Sequence, residues 1–413
     1  MTDFKSVREQ FPALNQTVYG QPLCYLDSAA TALKPQAVID RVNHFLSLEA
    51  ANVHRGAHYL SDRATANYEA VREKFAEYLG APSAGLIFTK GTTDSINLVA
   101  QSLAQGIFKV GDEILLTQLE HHSNIVPWHN LAMQRNGKVH FAKITASGQV
   151  DLEDFEKHLK TGRIRIAAFT ACSNTLGIFT PVSQMIELCQ RYGALSLVDG
   201  AQLMANERIH LTNLGCDFFA FSGHKIFAPY GIGVLYGRSE VLSRMPPATF
   251  GGSQISEVTE EKTTFLPPPQ RFEPGTPNVE GVLGMGAALD FFQNIPLTDI
   301  QAHEKTLLKK LISLLAEFKN IETYGSLELP HAPIVSFNFK GVHASDVGFI
   351  LDQQGIAVRC GHHCTQPLMR ALGVPATVRA SLSIYNNEQD LIQLQQGLEK
   401  AQELLFGNTN TVR

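Results

Sequence analysis

Short apolar segments alternate with segments of helical periodicity between residues 85 and 198. The helical pattern predicts helices at Ser95–Leu103, Ile125–Arg135 and Ser183–Tyr192. The apolar segments predict strands at Gly85–Thr89, Glu113–Thr117, Val139–Ile144, Ile164–Phe169 and Leu195–Val198. Such alternation is typical of right-handed crossover connections. We therefore expect an α/β fold whose sheet is largely parallel and covered by helices on both faces.

Two helices are predicted before this alternation. They cover Pro35–Glu49 and Ser61–Leu79, and Ser61 and Gly80 are of the types that usually begin and end a helix. An irregular segment rich in glycine, proline, serine and threonine follows the alternation at Phe250–Pro277. Its composition predicts either a linker or a functional loop.

The rest of the chain predicts a smaller α+β unit. Its helices are predicted at Val279–Phe292, Ile300–Phe318, near Ser345–Gln353 and near Glu388–Leu405. Its strands are predicted at Ile334–Phe339, near Ile356–Arg359 and near Val378–Leu382. We expect a large domain at residues 25–290. The small domain is then formed by residues 1–24 and 291–413, with the N-terminal segment packed on it.

Composition and charge exclude several classes of function. The 413 residues carry a formal net charge of −5 without a long run of one sign, so neither nucleic-acid binding nor anionic-membrane binding is expected. Charged residues interrupt Met1–Leu14, and no apolar stretch reaches the ~18 residues of a membrane span, so no signal peptide or membrane segment is predicted. Six scattered cysteines are typical of reduced thiols, which predicts a cytoplasmic location.

Two chemically distinctive residues follow apolar segments that have the pattern of buried strands. Lys225 ends the segment Phe219–Lys225, and Asp199 follows Leu195–Val198. Because open α/β sheets bind ligands at the carboxyl ends of their strands, we expect both side chains to face one crevice. Pyridoxal phosphate needs such a pair, a lysine for a Schiff base and a carboxylate beside the pyridine nitrogen.

A phosphate site is predicted where a helix begins after the strand Gly85–Thr89. The segment Lys90–Ser95 contains one glycine and two threonines at that point. Backbone N–H groups and hydroxyls at a helix N-terminus hold anions, although a turn of this kind is more often only a helix cap. Together with Lys225 and Asp199, the segment favours a pyridoxal-phosphate enzyme.

A second reactive group is predicted in the segment Arg359–Pro367, which contains His362, His363 and Cys364. The cluster allows a metal site, an activated thiol or a buried cysteine without chemistry. No metal is expected, because candidate ligands this close in sequence surround one tetrahedral ion with difficulty and no second Cys/His pair follows. Nearby cations stabilise a thiolate, which favours the activated thiol.

The sequence resembles the fold-type I pyridoxal-phosphate enzymes of the class V aminotransferase family, and among them the group II cysteine desulfurases of the SufS/CsdA type. The motifs that carry the resemblance are Leu26–Ala30, Asn52–Gly56, Gly91–Thr93, Glu120–His122, Ser173–Asn174, Val198–Gln202, Ser222–Lys225, Gly275–Asn278 and Arg359–Cys364. The resemblance covers essentially the whole chain. It implies a large domain with a mostly parallel seven-stranded sheet flanked by helices, and a smaller α+β domain that carries the catalytic cysteine loop.

The resemblance also implies which residues bind the cofactor. Lys225 holds pyridoxal phosphate, Asp199 pairs with its pyridine nitrogen, and His121 stacks on its ring and transfers protons near neutral pH. The residues implied at its phosphate and phenolic oxygen are Thr92, Thr93, Ser222, His224, Asn174, Gln202 and, from a neighbouring subunit, Thr276. A homodimer with sites at its interface is therefore expected. His122, next to His121, is expected to be structural.

The implied reaction converts L-cysteine into L-alanine, and L-selenocysteine is an alternative substrate. Cys364 takes the sulfur as a persulfide and passes it to an acceptor protein of the SufE/CsdE type. Arg379 pairs with the substrate carboxylate, and the other implied substrate contacts are Arg359, His362 and Asn174. Cys360 departs from the family pattern, which has a small residue there. It forms a disulfide with Cys364 under oxidation, shares the persulfide or points away.

Two other interpretations stay open at the level of sequence. The first is another class V enzyme, such as an aminotransferase, an epimerase or a kynureninase-like hydrolase, which uses Lys225 and Asp199 without Cys364. The second is a non-catalytic thiol or metal-binding scaffold built on His362, His363 and Cys364. The scaffold is expected to be colourless, whereas a pyridoxal-phosphate enzyme is expected to be yellow.

Overall fold

Seven strands form the central sheet of the structure, a computed structural model that describes residues 2–407. In chain order they are β1 (Leu86–Thr89), β2 (Glu113–Thr117), β3 (Val139–Ala142), β4 (Ile164–Thr170), β5 (Leu195–Asp199), β6 (Phe218–Ser222) and β7 (Gly233–Gly237). Across the sheet the order is β1-β7-β6-β5-β4-β2-β3. β7 is antiparallel to both of its neighbours and the other pairs are parallel, which confirms a mostly parallel seven-stranded sheet.

Helices cover both faces of this sheet, so its strands are buried on both sides. Successive side chains of a strand point to opposite faces. In β6, Phe219 and Phe221 enter one core, whereas Phe218 and Ala220 enter the other. The helices of this part lie at Gln36–His44, Tyr59–Leu79, Thr92–Gln105, Val126–Gln134, Leu152–Leu159, Val182–Arg191, Leu211–Leu214, Ser239–Leu242 and Val279–Gln293. The first continues as a π-helical turn at Phe45–Glu49.

A second, antiparallel sheet belongs to the C-terminal part of the chain. Its strands are β8 (Ile321–Tyr324), β9 (Ile334–Phe339), β10 (Arg359–Gly361) and β11 (Thr377–Ser381), in the order β8-β9-β11-β10. Its helices are Leu297–Glu317, Ala344–Asp352, Gln366–Leu372 and Glu388–Phe406. Three of them enclose a separate core with this sheet, while Leu368 and Met369 of Gln366–Leu372 join the large core.

The N-terminal segment contacts both parts of the molecule. Helix Phe4–Glu9 carries Arg8, which pairs with Asp390 at 2.8 Å, and the Phe11 side chain is buried in the large core. The short strand Cys24–Tyr25 then pairs in parallel with Ile356–Ala357. The predicted junction near residue 290 falls inside a helix, and the domain boundaries stay a prediction.

One helix begins differently from the prediction. Helix Tyr59–Leu79 has His58, not Ser61, as its N-cap: the His58 ring accepts a hydrogen bond from the Ser61 N–H at 3.4 Å. The Ser61 hydroxyl instead donates to the Asn52 carbonyl at 2.8 Å, so it ties the preceding loop to the helix. The predicted end is confirmed, since Gly80 adopts the left-handed conformation with φ 57°.

The segment 250–277 is folded onto the larger part, so the linker alternative was wrong. It contains a hairpin of Ile255–Val258 and Thr263–Phe265. Near its end, the Glu273 carboxylate accepts hydrogen bonds from the buried Arg72 guanidinium at 2.8 and 2.9 Å. Among residues 2–407, no helix combines the length and apolar character needed to cross a membrane.

Candidate active site

A cavity of about 180 Å³ lies at the carboxyl ends of the central strands. Thr170, Asp199 and Ser222 are the last residues of β4, β5 and β6, and all three line it. Lys225 lies in the turn after β6, which brings it into the same cavity. The predicted site residues that line the cavity are Thr92, Thr93, His121, Asn174, Asp199, Gln202, Ser222, His224, Lys225, Arg359 and Arg379.

Lys225 and Asp199 form the charged centre of the cavity. Both are buried. Burial lowers the pKa of Lys225 to about 8, and the Asp199 charge opposes that shift. Burial likewise raises the pKa of Asp199, which accepts a hydrogen bond from the Ala201 N–H at 2.9 Å. A second cation beside Asp199, such as a protonated pyridine nitrogen, would stabilise its charged form.

An anion cradle lies where helix Thr92–Gln105 begins. The Ser222 hydroxyl accepts a hydrogen bond from the Thr92 N–H at 2.8 Å and lies 2.9 Å from the Thr92 hydroxyl. The Nδ1 atom of His224 is buried and has no hydrogen-bond partner among residues 2–407. Gly91 and Gly233 are in backbone contact here, since a Cβ on Gly233 would lie 2.6 Å from the Gly91 Cα. A phosphate group would be well bound by the helix N-terminus, the hydroxyls of Thr92 and Ser222 and the free His224 nitrogen.

His121 is held on the cavity wall by its own turn. Its Nδ1 accepts a hydrogen bond from the Ser123 N–H at 3.1 Å and lies 3.0 Å from the Ser123 hydroxyl. Burial and the Lys225 ammonium lower the pKa of His121 to about 3. The imidazole is therefore neutral at physiological pH, rather than titrating near neutral pH as its residue type suggests.

Glu120 anchors the turn that carries His121. Its carboxylate accepts hydrogen bonds from the Thr117 hydroxyl at 2.6 Å and from the Asn124 amide at 2.7 Å. Asn124 in turn accepts one from the Trp128 indole at 2.8 Å. All of these groups are buried, and burial raises the pKa of Glu120 to about 8. The network therefore fixes the direction in which the His121 ring points.

Arg379 is a buried cation on β11 with its side chain directed into the cavity. Its guanidinium donates to the Asn174 carbonyl at 2.8 Å and to the Asp27 carboxylate at 2.9 Å. Its Nε atom has no partner within the part of the chain that the structure describes. Arg359 also lines the cavity and lies 4.0 Å from Asp27. The cavity thus presents two cations to an anionic ligand.

Cys364 lies on a loop next to the cavity in a strained turn. His363 and Cys364 both have left-handed backbones, with φ 50° and 57°, which costs about 1–3 kcal/mol each for residues other than glycine. Hydrogen bonds from a distant part of the chain hold this turn. The His122 N–H donates to the Cys364 carbonyl at 2.7 Å, and the Asn174 amide donates to the His363 carbonyl at 2.9 Å.

Cys360 points away from this centre. It follows Arg359 on β10, so the two side chains lie on opposite faces of the strand. Arg359 lines the cavity, whereas Cys360 packs against Gly348 and the separate core of the second, antiparallel sheet. Burial raises the pKa of Cys360 to about 11, which makes it a poor thiolate. Of the alternatives for this residue, the structure favours a packing role.

Three predicted residues lie outside the cavity lining, and several unpredicted ones lie within it. Cys364 and His362 are at its side, and Thr276 is exposed on the single chain. The lining residues that sequence reasoning missed are Ser123, Thr170, Cys172 and His363. His363 is buried and donates from Nε2 to the Thr377 carbonyl at 3.1 Å. The only feature of the sequence that could have identified His363 is its position next to Cys364. That position does not show in which direction the His363 ring points.

The comparisons with known proteins agree with this geometry. Residues 24–394 match the family model described as Aminotransferase class-V. A cysteine desulfurase of Dickeya dadantii is 46% identical over 401 residues, which cover 97% of each chain. A probable cysteine desulfurase of Vibrio cholerae is 42% identical over 98% of this chain and 100% of the relative. The chain belongs to the cysteine desulfurases of the class-V aminotransferase family.

Solved structures of cysteine desulfurases have the same fold. The enzyme CsdA from Escherichia coli aligns with a TM-score of 0.90 at 39% identity, over 98% of this chain and 99% of that one. The apo enzyme from Thermococcus onnurineus aligns with a TM-score of 0.91 at 38% identity, over 97% and 98%. Pyridoxal phosphate is the cofactor of this cysteine desulfurase, as of its family. The free His224 nitrogen, the helix N-terminus and the Lys225–Asp199 pair fit it.

Proposed function

We propose that this enzyme converts L-cysteine into L-alanine and receives the sulfur on Cys364 as a persulfide. The observation that carries the proposal is the position of the Cys364 loop. Hydrogen bonds to His122 and Asn174 hold the loop at the edge of the cavity that contains Lys225 and Asp199. An aminotransferase or epimerase needs that cavity but has no use for a thiol beside it.

The residues assigned to the cofactor all line the same cavity. Lys225 would hold the cofactor covalently, Asp199 would pair with its pyridine nitrogen and His121 would contact its ring. The groups assigned to its phosphate and phenolic oxygen are Thr92, Thr93, Ser222, His224, Asn174 and Gln202. When bound, pyridoxal phosphate supplies an electron sink that weakens the carbon–sulfur bond of the substrate.

Arg379 orients the substrate by its carboxylate. An arginine suits this task because its planar guanidinium donates two parallel hydrogen bonds to a carboxylate. Asp27 and Asn174 already hold the guanidinium in place, so little side-chain entropy is lost when substrate binds. Arg359, His362 and Asn174 complete the assigned substrate contacts. Neutral His121 and the Lys225 amine transfer protons to and from the substrate.

Sulfur transfer takes place between the substrate and Cys364. The Cys364 thiolate forms a bond to the substrate sulfur while the substrate carbon–sulfur bond breaks. The electron pair of the broken bond stays with the carbon, which takes up a proton and leaves as alanine. The second sulfur remains on Cys364 as a persulfide and is passed to an acceptor.

Several wider assignments belong to the same proposal. The exposed position of Thr276 suits a contact with the cofactor phosphate of a neighbouring subunit, and hence a homodimer. A dedicated acceptor protein of the SufE/CsdE type fits the short Cys364 loop. L-Selenocysteine is an alternative substrate, since its weaker carbon–selenium bond breaks by the same route. All six cysteines lie in the described residues and none forms a disulfide there, which supports a cytoplasmic location.

The test is alanine formation from L-cysteine with a reductant present, together with the visible absorption of the bound cofactor. Wild type makes alanine and is yellow. Lys225→Ala loses both properties, whereas Cys364→Ala stays yellow and makes little alanine. Cys360→Ala is the matched control, because it removes a thiol from the same segment and is expected to make alanine at the wild-type rate. Full activity in Cys364→Ala refutes the proposal.

A further inference from the structure

Two imidazoles and one thiol from distant segments converge beside the cavity. The potential ligand atoms of His122, His362 and Cys364 all lie within 4.8 Å of one another. His122 lies in the turn after β2, whereas His362 and Cys364 lie in the loop after β10. His362 is exposed and the other two are half-buried, so solutes can reach the cluster. The expectation of no metal considered only ligands from the second of these segments.

We propose that His122, His362 and Cys364 form a binding site for a single Zn²⁺ ion, or a similar borderline-soft cation, which inhibits sulfur transfer. Two nitrogens and one sulfur are the donor set that Zn²⁺ prefers. With Zn–N bonds of ~2.0–2.1 Å and Zn–S bonds of ~2.3 Å, tetrahedral ligand atoms lie about 3.3–3.6 Å apart. Since the atoms lie within 4.8 Å of one another, the pairs need to approach by at most about 1.2–1.5 Å.

The backbone already holds these donors in place. The Cys364 carbonyl accepts from the His122 N–H at 2.7 Å, which joins the two segments. The Cys364 N–H donates to the His362 Nδ1 at 3.0 Å, and the Gln366 N–H donates to the His122 Nε2 at 3.4 Å. The lone pair that accepts each of these hydrogen bonds is the one that a cation would take, so the two hydrogen bonds are exchanged for metal bonds when a cation binds. The ring centroids lie 5.4 Å apart.

Inhibition follows from the identity of the third ligand and rests on the proposed function. A metal-bound Cys364 sulfur shares with the metal the lone pair that would attack the substrate sulfur. The three protein ligands leave a fourth position open, as in catalytic zinc sites, for water or a small thiol. Metal binding and persulfide formation on Cys364 therefore exclude each other, and a chelator restores the activity.

Metal binding is tested on the cofactor-loaded enzyme without reference to its activity. Titration with Zn²⁺ in a thiol-free buffer is expected to show one equivalent bound per chain. Co²⁺ used as a probe is expected to give a thiolate-to-metal charge-transfer band in the near ultraviolet. Cys364→Ser abolishes this band and Cys360→Ser, the matched control, retains it. His122→Gln and His362→Gln each weaken Zn²⁺ binding at least tenfold, while unchanged affinity in both variants overturns the proposal.

Inhibition is measured separately, so that failure of the proposed function can be distinguished. In a single-turnover alanine assay, with one equivalent of L-cysteine and no thiol reductant, enzyme preloaded with Zn²⁺ is expected to lose most of the wild-type activity, and a chelator is expected to restore it. The ratio of the activity without Zn²⁺ to the activity with Zn²⁺ is expected to be at least tenfold smaller in His122→Gln than in wild type. If the enzyme makes no alanine, the binding experiment still decides the site. If Zn²⁺ binds at the three residues without affecting alanine formation, the inhibitory role is wrong.

Discussion

Arg379 is expected to carry the recognition of the substrate carboxylate, and Arg379→Lys tests this with little structural change. Lysine keeps the positive charge next to Asp27 but loses the planar fork that donates to two acceptors at once. A hydrogen bond to a charged group contributes about 1.5–3 kcal/mol. The loss of one such bond to the substrate therefore lowers kcat/KM by about 10- to 150-fold.

The cost to folding can be bounded separately. Removal of one partner of a buried ion pair typically costs about 3–5 kcal/mol. Arg379 is 2% exposed, but Asp27 is 21% exposed and lies 4.0 Å from Arg359, so solvent and a second cation stabilise the carboxylate that remains. Arg379→Ala is thus expected to lose about 3 kcal/mol or less of unfolding free energy. Arg379→Lys is expected to lose less than that.

The assay is the initial rate of alanine formation over a range of L-cysteine concentrations, with urea unfolding of each variant alongside. Arg238→Lys is the matched control. Arg238 forms a similar pair with the buried Asp217, with hydrogen bonds of 2.6 and 2.9 Å, but it does not line the cavity. It is expected to keep its kcat/KM. An Arg379→Lys enzyme with kcat/KM within twofold of wild type would show that another group binds the carboxylate.

Three further predictions follow from the same geometry. Gly233→Ala places a Cβ 2.5 Å from the Phe221 carbonyl oxygen, next to the anion cradle, so the variant is expected to lose cofactor faster than wild type during dialysis. Gly252→Ala is the control: its Cβ meets nothing within 4 Å, and the variant is expected to behave as wild type. Because the pKa of Lys225 is lowered to about 8, cofactor uptake by the apo-enzyme, measured by stopped-flow absorbance, is expected to rise with pH and level off above pH 8. A plateau only near pH 10 contradicts this. As the pH falls, the Lys225 amine of the unfolded chain takes up its proton near pH 10.5, before the folded chain does near pH 8. The contribution of Lys225 to the free energy of unfolding therefore rises with pH from about 8 to 10.5. Glu120→Leu leaves the buried Asn124 amide without its acceptor and is expected to lose about 1–3 kcal/mol of unfolding free energy. An unchanged denaturation midpoint argues against the network.

Much of the central sheet could be predicted because its strands are short, apolar and separated by helical periodicity. β7 was missed, since the segment Gly233–Gly237 begins and ends with glycine, and glycines usually mark turns. Its antiparallel direction has no local signal either. Strand direction depends on which neighbours the connections allow, and this is a property of the whole sheet.

The candidate site shows the same limit. Lys225 and Asp199 could be identified because each follows a buried strand, and parallel strands bring their carboxyl ends to one edge. His122 could not be placed beside Cys364 in this way, since the contact depends on how the two sheets pack together. Likewise, Glu120 reads as an ordinary surface acid until its buried partners are known. Pairings between distant segments are the part of a site that periodicity does not encode.

The hydrogen bonds to the Cys364 loop have a consequence for how the enzyme matures on the ribosome. The cofactor cavity is built largely from strands that are synthesised before residue 240, whereas the loop is synthesised much later. The loop turn then docks onto His122 and Asn174, which the earlier segment supplies. Asp199 and Lys225 are therefore synthesised well before Cys364, so the growing chain contains the main cofactor-binding residues before it contains the thiol that receives the sulfur.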